Sequence, residues 1–306
     1  MNKDSKTFTT LELLKISSDY LAKAGIPSAR LDAEVLLADV LKTDRIRLYV
    51  DHGRKLLPHE LDLYRNAIGM RRKRVPIAYI TGHKEFMSLD LDVCSKVLIP
   101  RSDTECLVEY VAEQIRCKDL ENPYILDLCT GSGAISCALA SIFPSANIIS
   151  TDISQDACDL ASANANKLGF NDRITVLKGD LFDALEASSQ EAFDTKENGQ
   201  CFDCIVSNPP YIPTADVDGL EKDICLYEPR LALDGGEDGM EIVNKILKGC
   251  SEYLRCDGII SLEVGDEKQA SLASLLMSDI GFFNVSIGKD LSGQVRTISG
   301  IFGGKA

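Results

Sequence analysis

The sequence predicts an α/β protein: an open, mostly parallel sheet that ends in an antiparallel hairpin, preceded by a small helical domain. Three observations predict it. After Pro123, β-like runs alternate with helical periodicity, the pattern of a parallel sheet covered on both faces. The last two β-like runs, Phe282–Ile287 and Val295–Ile301, are joined by a short turn-rich segment and therefore pair antiparallel. The region before Ile77 repeats its apolar residues at helical spacing instead. A chain of 306 residues, 45% of them hydrophobic, has room for two domains and a sizeable core.

Taken in order, Thr9-Thr10-Leu11-Glu12 has capping-box spacing, with Leu11, Leu14, Ser18 and Leu21 at helical intervals and Gly25 to end the turn. Ser28 precedes a second amphipathic run through Leu31, Val35, Leu36 and Val40. A third starts at Pro58 and carries Leu61, Tyr64 and Ile68. It ends in the basic run Arg71-Arg72-Lys73-Arg74, which either complements a helix C-terminus or contacts a partner. His52 and His59 lie beside turns and read as surface residues. Ile77-Ala78-Tyr79-Ile80 and the alternating Leu89–Val93 predict a linker hairpin, followed by a helix over Asp103–Cys117 that Ser102 can cap.

Parallel strands are predicted at Tyr124–Leu128, Asn147–Thr151, Ile174–Lys178, Asp203–Ser207 and Ile259–Val264. Helices fall between the first three, and again at Met240–Leu254 and Glu267–Asp279. The polar, acidic segment Glu186–Gln200 predicts a mobile surface loop. Domain boundaries follow: a helical domain over 1–76, whose lack of any catalytic constellation fits recognition of a partner, a hairpin linker over 77–102 and the α/β domain over 103–306.

Composition restricts the partners. Forty-seven acidic against 33 basic residues leave a net charge of −14, without the broad positive field that gives non-specific affinity for nucleic acid. Direct DNA binding is not expected. No apolar stretch approaches the ~18 residues of a membrane span, and the polar N-terminus lacks the core of a signal peptide. Eleven scattered cysteines, an odd number, predict reduced thiols in the cytoplasm. Cys201-Phe-Asp-Cys204 has the spacing of a metal pair. It occurs once, no histidine is near, and a strand tends to turn the two thiols to opposite faces, so no metal site is expected.

Two segments carry chemistry. Asp127-Leu-Cys-Thr-Gly131-Ser-Gly133 follows a strand and opens a helix, where glycines bend the backbone toward a ligand and the helix start offers N–H groups. Asp152 ends the next strand, where an acid meets ribose hydroxyls in nucleotide-binding units, and Gly179-Asp180 follows the third. Dinucleotide binding is the rival. Ser136 replaces the third glycine of that fingerprint, however, and the loop holds no basic residue for phosphate. Asp127 would repel a pyrophosphate but suits a sulfonium or ammonium group, which points to S-adenosyl-L-methionine.

The second segment, Asn208-Pro209-Pro210-Tyr211, sits after the fourth strand, at the edge where open sheets bind ligands. A planar amide or exocyclic amine is a poor nucleophile because its lone pair is delocalised. The side-chain carbonyl of Asn208 and the backbone carbonyl of Pro209 can accept both N–H hydrogens of such a group and hold its nitrogen toward a methyl donor. Pro209-Pro210 stiffens the loop, and Tyr211 offers an aromatic face to a planar substrate.

Together these segments resemble the N5-glutamine methyltransferases of peptide chain release factors, the PrmC/HemK family. Tyr79-Ile80-Thr81-Gly82, Leu98-Ile99-Pro100-Arg101, Thr104-Glu105, Tyr227–Leu233 with Gly235-Gly236, and Asp290–Gly293 with Arg296 match as well, so the likeness spans the chain. It implies a class I methyltransferase (Rossmann-like) fold and an enzyme that methylates the glutamine of the Gly-Gly-Gln motif in class I release factors. It also implies cofactor contacts from Cys129, Thr130, Gly131, Ser132, Gly133, Asp152, Leu181 and Asn208. Cys129 stands where the family has glycine and Leu181 where it has a bulky aromatic, which implies an altered cofactor fit. Arg101 and Glu105 either orient the amino-acid end of the cofactor or form a helix-start ion pair, and Tyr227-Glu228-Pro229-Arg230, placed after the Asn208 loop, either walls the substrate pocket or is structural. Glu263-Val264-Gly265 and Gln269 receive no role. Three alternatives share the chemistry or the fold: a DNA adenine-N6 methyltransferase, a ribosomal-protein glutamine methyltransferase, and a non-catalytic binding protein.

Overall fold

A computed structural model describes residues 8–186 and 201–304, so the predicted loop Glu186–Gln200 lies, apart from Glu186, outside the described residues. The chain divides into two units. Met1–Gly82 with Glu221–Tyr227 form the first, and His83–Leu220 with Glu228–Ala306 form the second.

The first unit holds α1 (Thr10–Lys23), α2 (Ala29–Val40), α3 (Arg45–Val50), α4 (Pro58–Arg72) and α5 (Ile77–Thr81). At the start of α1 the capping box forms as spaced: Glu12 N–H donates to Thr9 Oγ1 at 3.3 Å, and Thr9 N–H donates to the Glu12 carboxylate at 2.8 Å. Leu21, Leu36, Leu37, Leu48 and Tyr64 fill the core. The short α3, which supplies Leu48, was not predicted, because six residues are too few to display a helical period. The basic run closes the unit internally. Arg71 is buried, donating to Asp32 and to Asp223, each at 2.6 Å. Arg74 donates to Gly25 O at 2.6 Å, and Arg72 lies 5.1 Å from the centre of the Tyr20 ring.

One predicted strand is corrected here. Ile77–Ile80 belongs to helix α5, entered from Pro76 and ended by Gly82 at φ 81°. Five residues carry no decisive period, and a proline before them with a left-handed glycine after them favours one helical turn. The hairpin instead pairs β1 (His83–Phe86) with β2 (Leu89–Asp92), turning at Met87 and Ser88 with both φ values positive.

In the second unit α6 (Asp103–Cys117) covers its predicted span and precedes the main sheet. The strands are β3 (Tyr124–Leu128), β4 (Asn147–Asp152), β5 (Ile174–Lys178), β6 (Phe202–Ser207), β7 (Leu254–Glu263), β8 (Phe282–Lys289) and β9 (Val295–Phe302). Their order is β5-β4-β3-β6-β7-β9-β8; the neighbouring pairs from β5 through β7 are parallel, and β9 pairs antiparallel with both β7 and β8. Strand β7 starts five residues before its predicted start, Ile259, and the preceding helix stops at Cys250. Asp257 adopts φ 61° within β7, beside an irregular register with β6.

Alternation along the strands sorts the core into two layers. Ile125, Ile148, Cys204 and Ile259 face α6, α7 (Ala134–Ile142) and α8 (Gln155–Lys167). Their neighbours Leu126, Ile149, Ile205 and Ile260 face the helices Glu241–Cys250 and Glu267–Ile280. The feature that positions the site is the strand order. From β3 the chain steps outward to β4 and β5, then returns to the other side of β3 as β6. Loops leaving β3 and β6 therefore diverge at a topological switch point, where open α/β sheets bind ligands.

Candidate active site

At that switch point Leu128 of β3 pairs with Ser207 of β6, so the two sequence-predicted loops leave the sheet side by side. They border one cavity of about 370 Å³. From β3 come Cys129, Thr130, Gly131 and Ser132; from β4, Thr151 and Asp152; after β5, Asp180 and Leu181; after β6, Asn208 and Pro210.

The glycine loop owes its shape to three left-handed residues, Cys129 (φ 57°), Gly131 (φ 57°) and Gly133 (φ 78°). Gly133 caps α7 and packs on α8, where a Cβ would come within 3.1 Å of Ala161 Cα, so the position accepts no larger residue without strain. Cys129 adopts the left-handed region despite its side chain, at a cost of roughly 1–2 kcal/mol. Burial pushes its thiol pKa up, which keeps it neutral. Asp152 ties β4 to the loop, its Oδ2 accepting from Gly131 N–H and its Oδ1 from Ser154 N–H, both at 2.9 Å. Burial raises its pKa, and backbone donors, Ser154 and Gly131 foremost, oppose the shift. Each oxygen still has a lone pair for a hydroxyl donor.

Asp127 is placed differently from the cofactor contact expected of it. It is fully buried behind the loop, where its Oδ2 accepts from Thr130 Oγ1 and Ser136 Oγ, each at 2.6 Å. It shapes the loop from beneath. Burial, opposed by these hydroxyls, pushes its carboxyl pKa up to about 6. A folded-state value above the unfolded one means that this group favours the fold below pH ~4 and that the advantage is lost as pH rises through about 6, by roughly 3 kcal/mol in all. The stability difference between Asp127→Asn and the parent, read from urea midpoints, should move in the variant's favour between pH 4 and pH 7. A difference that does not change with pH would show a carboxyl titrating normally.

The Asn208 loop is held from three sides. Asn208 Nδ2 donates to Thr104 Oγ1 at 3.0 Å, and Thr104 Oγ1 donates to Glu263 Oε2 at 2.6 Å. Tyr211 OH donates to Glu263 Oε1 at 3.1 Å, while Gln269 Nε2 donates to Tyr211 O at 2.8 Å. Gly239 lies against the same strand exit at φ 74°, and a Cβ there would fall 2.2 Å from Tyr211 O. Pro209 is buried, and neither it nor Tyr211 is among the cavity-lining residues. Tyr211 forms no aromatic wall of this cavity; its hydroxyl braces Glu263, and its ring lies beside Gly265, where a Cβ would fall 3.0 Å from it. Apolar walls come instead from Phe86, Val97, Leu231 and Ile242, which sequence reasoning missed because they are dispersed over the chain.

Arg101 lines the cavity and pairs with buried Glu228 at 2.6 Å. Glu105 turns elsewhere, its Oε1 accepting Met87 N–H in the hairpin. Pro229 and Leu231 line the cavity as a wall, whereas Arg230 pairs with Asp218 and Asp234. Cys204 is buried in β6 and Cys201 lies just before it; among the described residues no group of three or more His, Cys, Asp or Glu could hold a metal ion.

The cavity suits S-adenosylmethionine. It offers a carboxylate at the end of β4, backbone N–H groups at a helix start, apolar walls and no basic phosphate cradle in the glycine loop. Thr151 Oγ1, buried at its edge, has no partner among the described residues.

Comparisons with known proteins agree. The PrmC N-terminal domain family matches residues 12–82, and a methyltransferase domain family matches 120–283. A release factor glutamine methyltransferase of Geobacter sulfurreducens is 38% identical over 303 residues, 99% of this chain and 100% of its own length. One from Moorella thermoacetica is 40% identical, over 90% of this chain and 92% of its own. Among solved structures, the hMettl16 catalytic domain superposes with a TM-score of 0.54 at 15% identity, over 82% of this chain and 85% of that one. That likeness shows the fold, the open sheet of class I methyltransferases with its antiparallel end.

Proposed function

The chain belongs to the release factor glutamine methyltransferase family, and from that premise we propose that it transfers a methyl group to N5 of the glutamine in the Gly-Gly-Gln motif of class I release factors. The observation that supports this most is the placement of the Asn208 amide on the wall of the cavity bounded by the Cys129–Gly133 loop.

S-adenosylmethionine is the methyl donor and, when bound, supplies an electrophilic methyl on a positively charged sulfonium. The chain's residues do the rest. Asp152 would accept from ribose hydroxyls, and Cys129–Gly133 with Asp180 and Leu181 would shape the pocket. Asn208 Oδ1 would accept one N–H hydrogen of the glutamine amide and hold its nitrogen in line; Pro209 does not line the cavity, but its backbone carbonyl, directly after Asn208 in the chain, would accept the other. As the nitrogen becomes cationic, these acceptors stabilise the growing positive charge on its hydrogens. The proton leaves during or after transfer, so no strong general base is required and none is assigned.

The first unit would recognise the folded factor. Ile46 and Val50, 77% and 70% exposed on α3, offer it apolar surface. A cytoplasmic location belongs to the same proposal, supported by the translation-linked substrate of the relatives. The acidic net charge of −14 does not favour the DNA adenine reading.

The test is mass spectrometry of a release factor after incubation with the full chain and the donor. A gain of one methyl on the Gly-Gly-Gln glutamine is expected, none on a control with that glutamine replaced by alanine, and a slower gain on an isolated loop peptide. Methyl on the control, or on DNA and not the factor, would overturn the substrate. Equal rates on peptide and folded factor would overturn the recognition role.

A further inference from the structure

We infer that Thr104 and Glu263 are positioning residues that fix which end of the Asn208 side-chain amide faces the cavity. The inference rests on the reading of Asn208 as the acceptor for the substrate amide.

A side-chain amide can be turned end for end with little change in shape, presenting either its oxygen or its NH₂. Only the oxygen could accept an N–H from a substrate. Whatever selects the oxygen-inward orientation is therefore part of the machinery.

The selection follows from donor and acceptor counts. Glu263 lies in β7 with 1% exposure, and both its oxygens are used: Oε1 accepts from Tyr211 OH and Oε2 from Thr104 Oγ1. A carboxylate has no proton to give, so both hydroxyls must donate to it. Thr104 has one hydroxyl hydrogen, and Glu263 takes it. Toward Asn208 the Thr104 oxygen can then only accept, and the group 3.0 Å away must be the Nδ2 end. This leaves Oδ1 for the cavity. Thr104 is 4% exposed, so water does not substitute readily for either contact.

Burial raises the pKa of Glu263, and Asp103 at the start of α6 adds to that; the hydroxyls of Thr104 and Tyr211 and the charge of Arg296 on β9 oppose it and favour the accepting carboxylate. Arg296 is in turn fixed by Asp103 at 3.0 Å and Asp290 at 3.1 Å. Glu263, which the sequence left without a role, thereby becomes the anchor of the arrangement.

The test uses the full chain. Thr104→Val keeps shape but removes the acceptor, and should slow single-turnover transfer to a release factor about tenfold or more, with cofactor affinity within twofold of the parent. Thr104→Ser keeps the hydroxyl and should restore most of the rate. On an Asn208→Ala background, Thr104→Val should cost nothing further, because its effect runs through that amide. Multiplying losses, or a parental rate for Thr104→Val, would overturn the relay.

A second readout needs no substrate. The Asn208 NH₂ resonances, identified by their disappearance in Asn208→Ala, should lose protection from hydrogen exchange in Thr104→Val and keep it in Thr104→Ser. Unchanged protection in Thr104→Val would overturn the relay. If the parent enzyme fails to methylate a release factor while the resonances behave as expected, the substrate reading falls and the relay stands.

Discussion

Replacing Asn208 by alanine should lower single-turnover methyl transfer to a release factor by about 10²–10³, the usual loss when one preorganised polar partner of a transition state is removed. The fold should survive, since Asn208 lies on the cavity wall and, among the described residues, makes one side-chain hydrogen bond, to Thr104. Cofactor affinity should change little by comparison, because Asp152 and the glycine loop remain. Asn208→Asp is the sharper variant. It keeps oxygens toward the cavity but has no NH₂ to give Thr104, whose hydroxyl would have to leave Glu263 to meet it. Two carboxylates would then compete for one hydroxyl proton, so turnover should stay well below the parent's. Rapid-quench transfer of labelled methyl measures both variants; a near-parental rate for Asn208→Ala would remove the amide from the mechanism.

Asp152→Ala should weaken cofactor binding by about 1.5–3 kcal/mol, the range of charge-assisted hydrogen bonds. The change acts twice. It removes the acceptor offered to the ribose and frees Gly131 N–H, which Asp152 holds at 2.9 Å. Asp152→Asn should lose nearly as much, because its NH₂ must face one of the two backbone donors, Gly131 or Ser154, that the carboxylate now satisfies. Titration calorimetry reads both, and an unchanged dissociation constant would place the ribose elsewhere.

The parts legible in sequence share a physical origin. Asn208-Pro209-Pro210-Tyr211 and the Asp127–Gly133 loop are contiguous, so their chemistry is written in adjacent letters. A long helix such as α6 shows its period over enough residues to be read directly, and the five-residue strands β3 and β5 were legible from their place in the strand–helix alternation. Short elements outside that alternation were not. Ile77–Thr81 offers five residues and α3 six, and tertiary packing decides between helix and strand at that length.

Side-chain direction was less legible still. Asp127 and Tyr211 carry the residue types a ligand site needs, yet the first is buried beneath the loop and the second braces Glu263. Type and spacing place a residue near a site; they do not say which way it points.

By itself, then, the sequence determined the order of strands and helices in the main sheet domain, the two loops that carry the chemistry and the acidic charge that disfavours nucleic acid as a partner. Tertiary structure alone decided that Leu128 pairs with Ser207, so that loops separated by some 75 residues of chain border one cavity. It alone brought Thr104, Asn208 and Glu263, from α6, the β6 exit and β7, within hydrogen-bond reach. The reason is that local pattern encodes period and burial, whereas the partner of a polar side chain depends on which strands become neighbours. That is a property of the whole sheet and not of any segment in it.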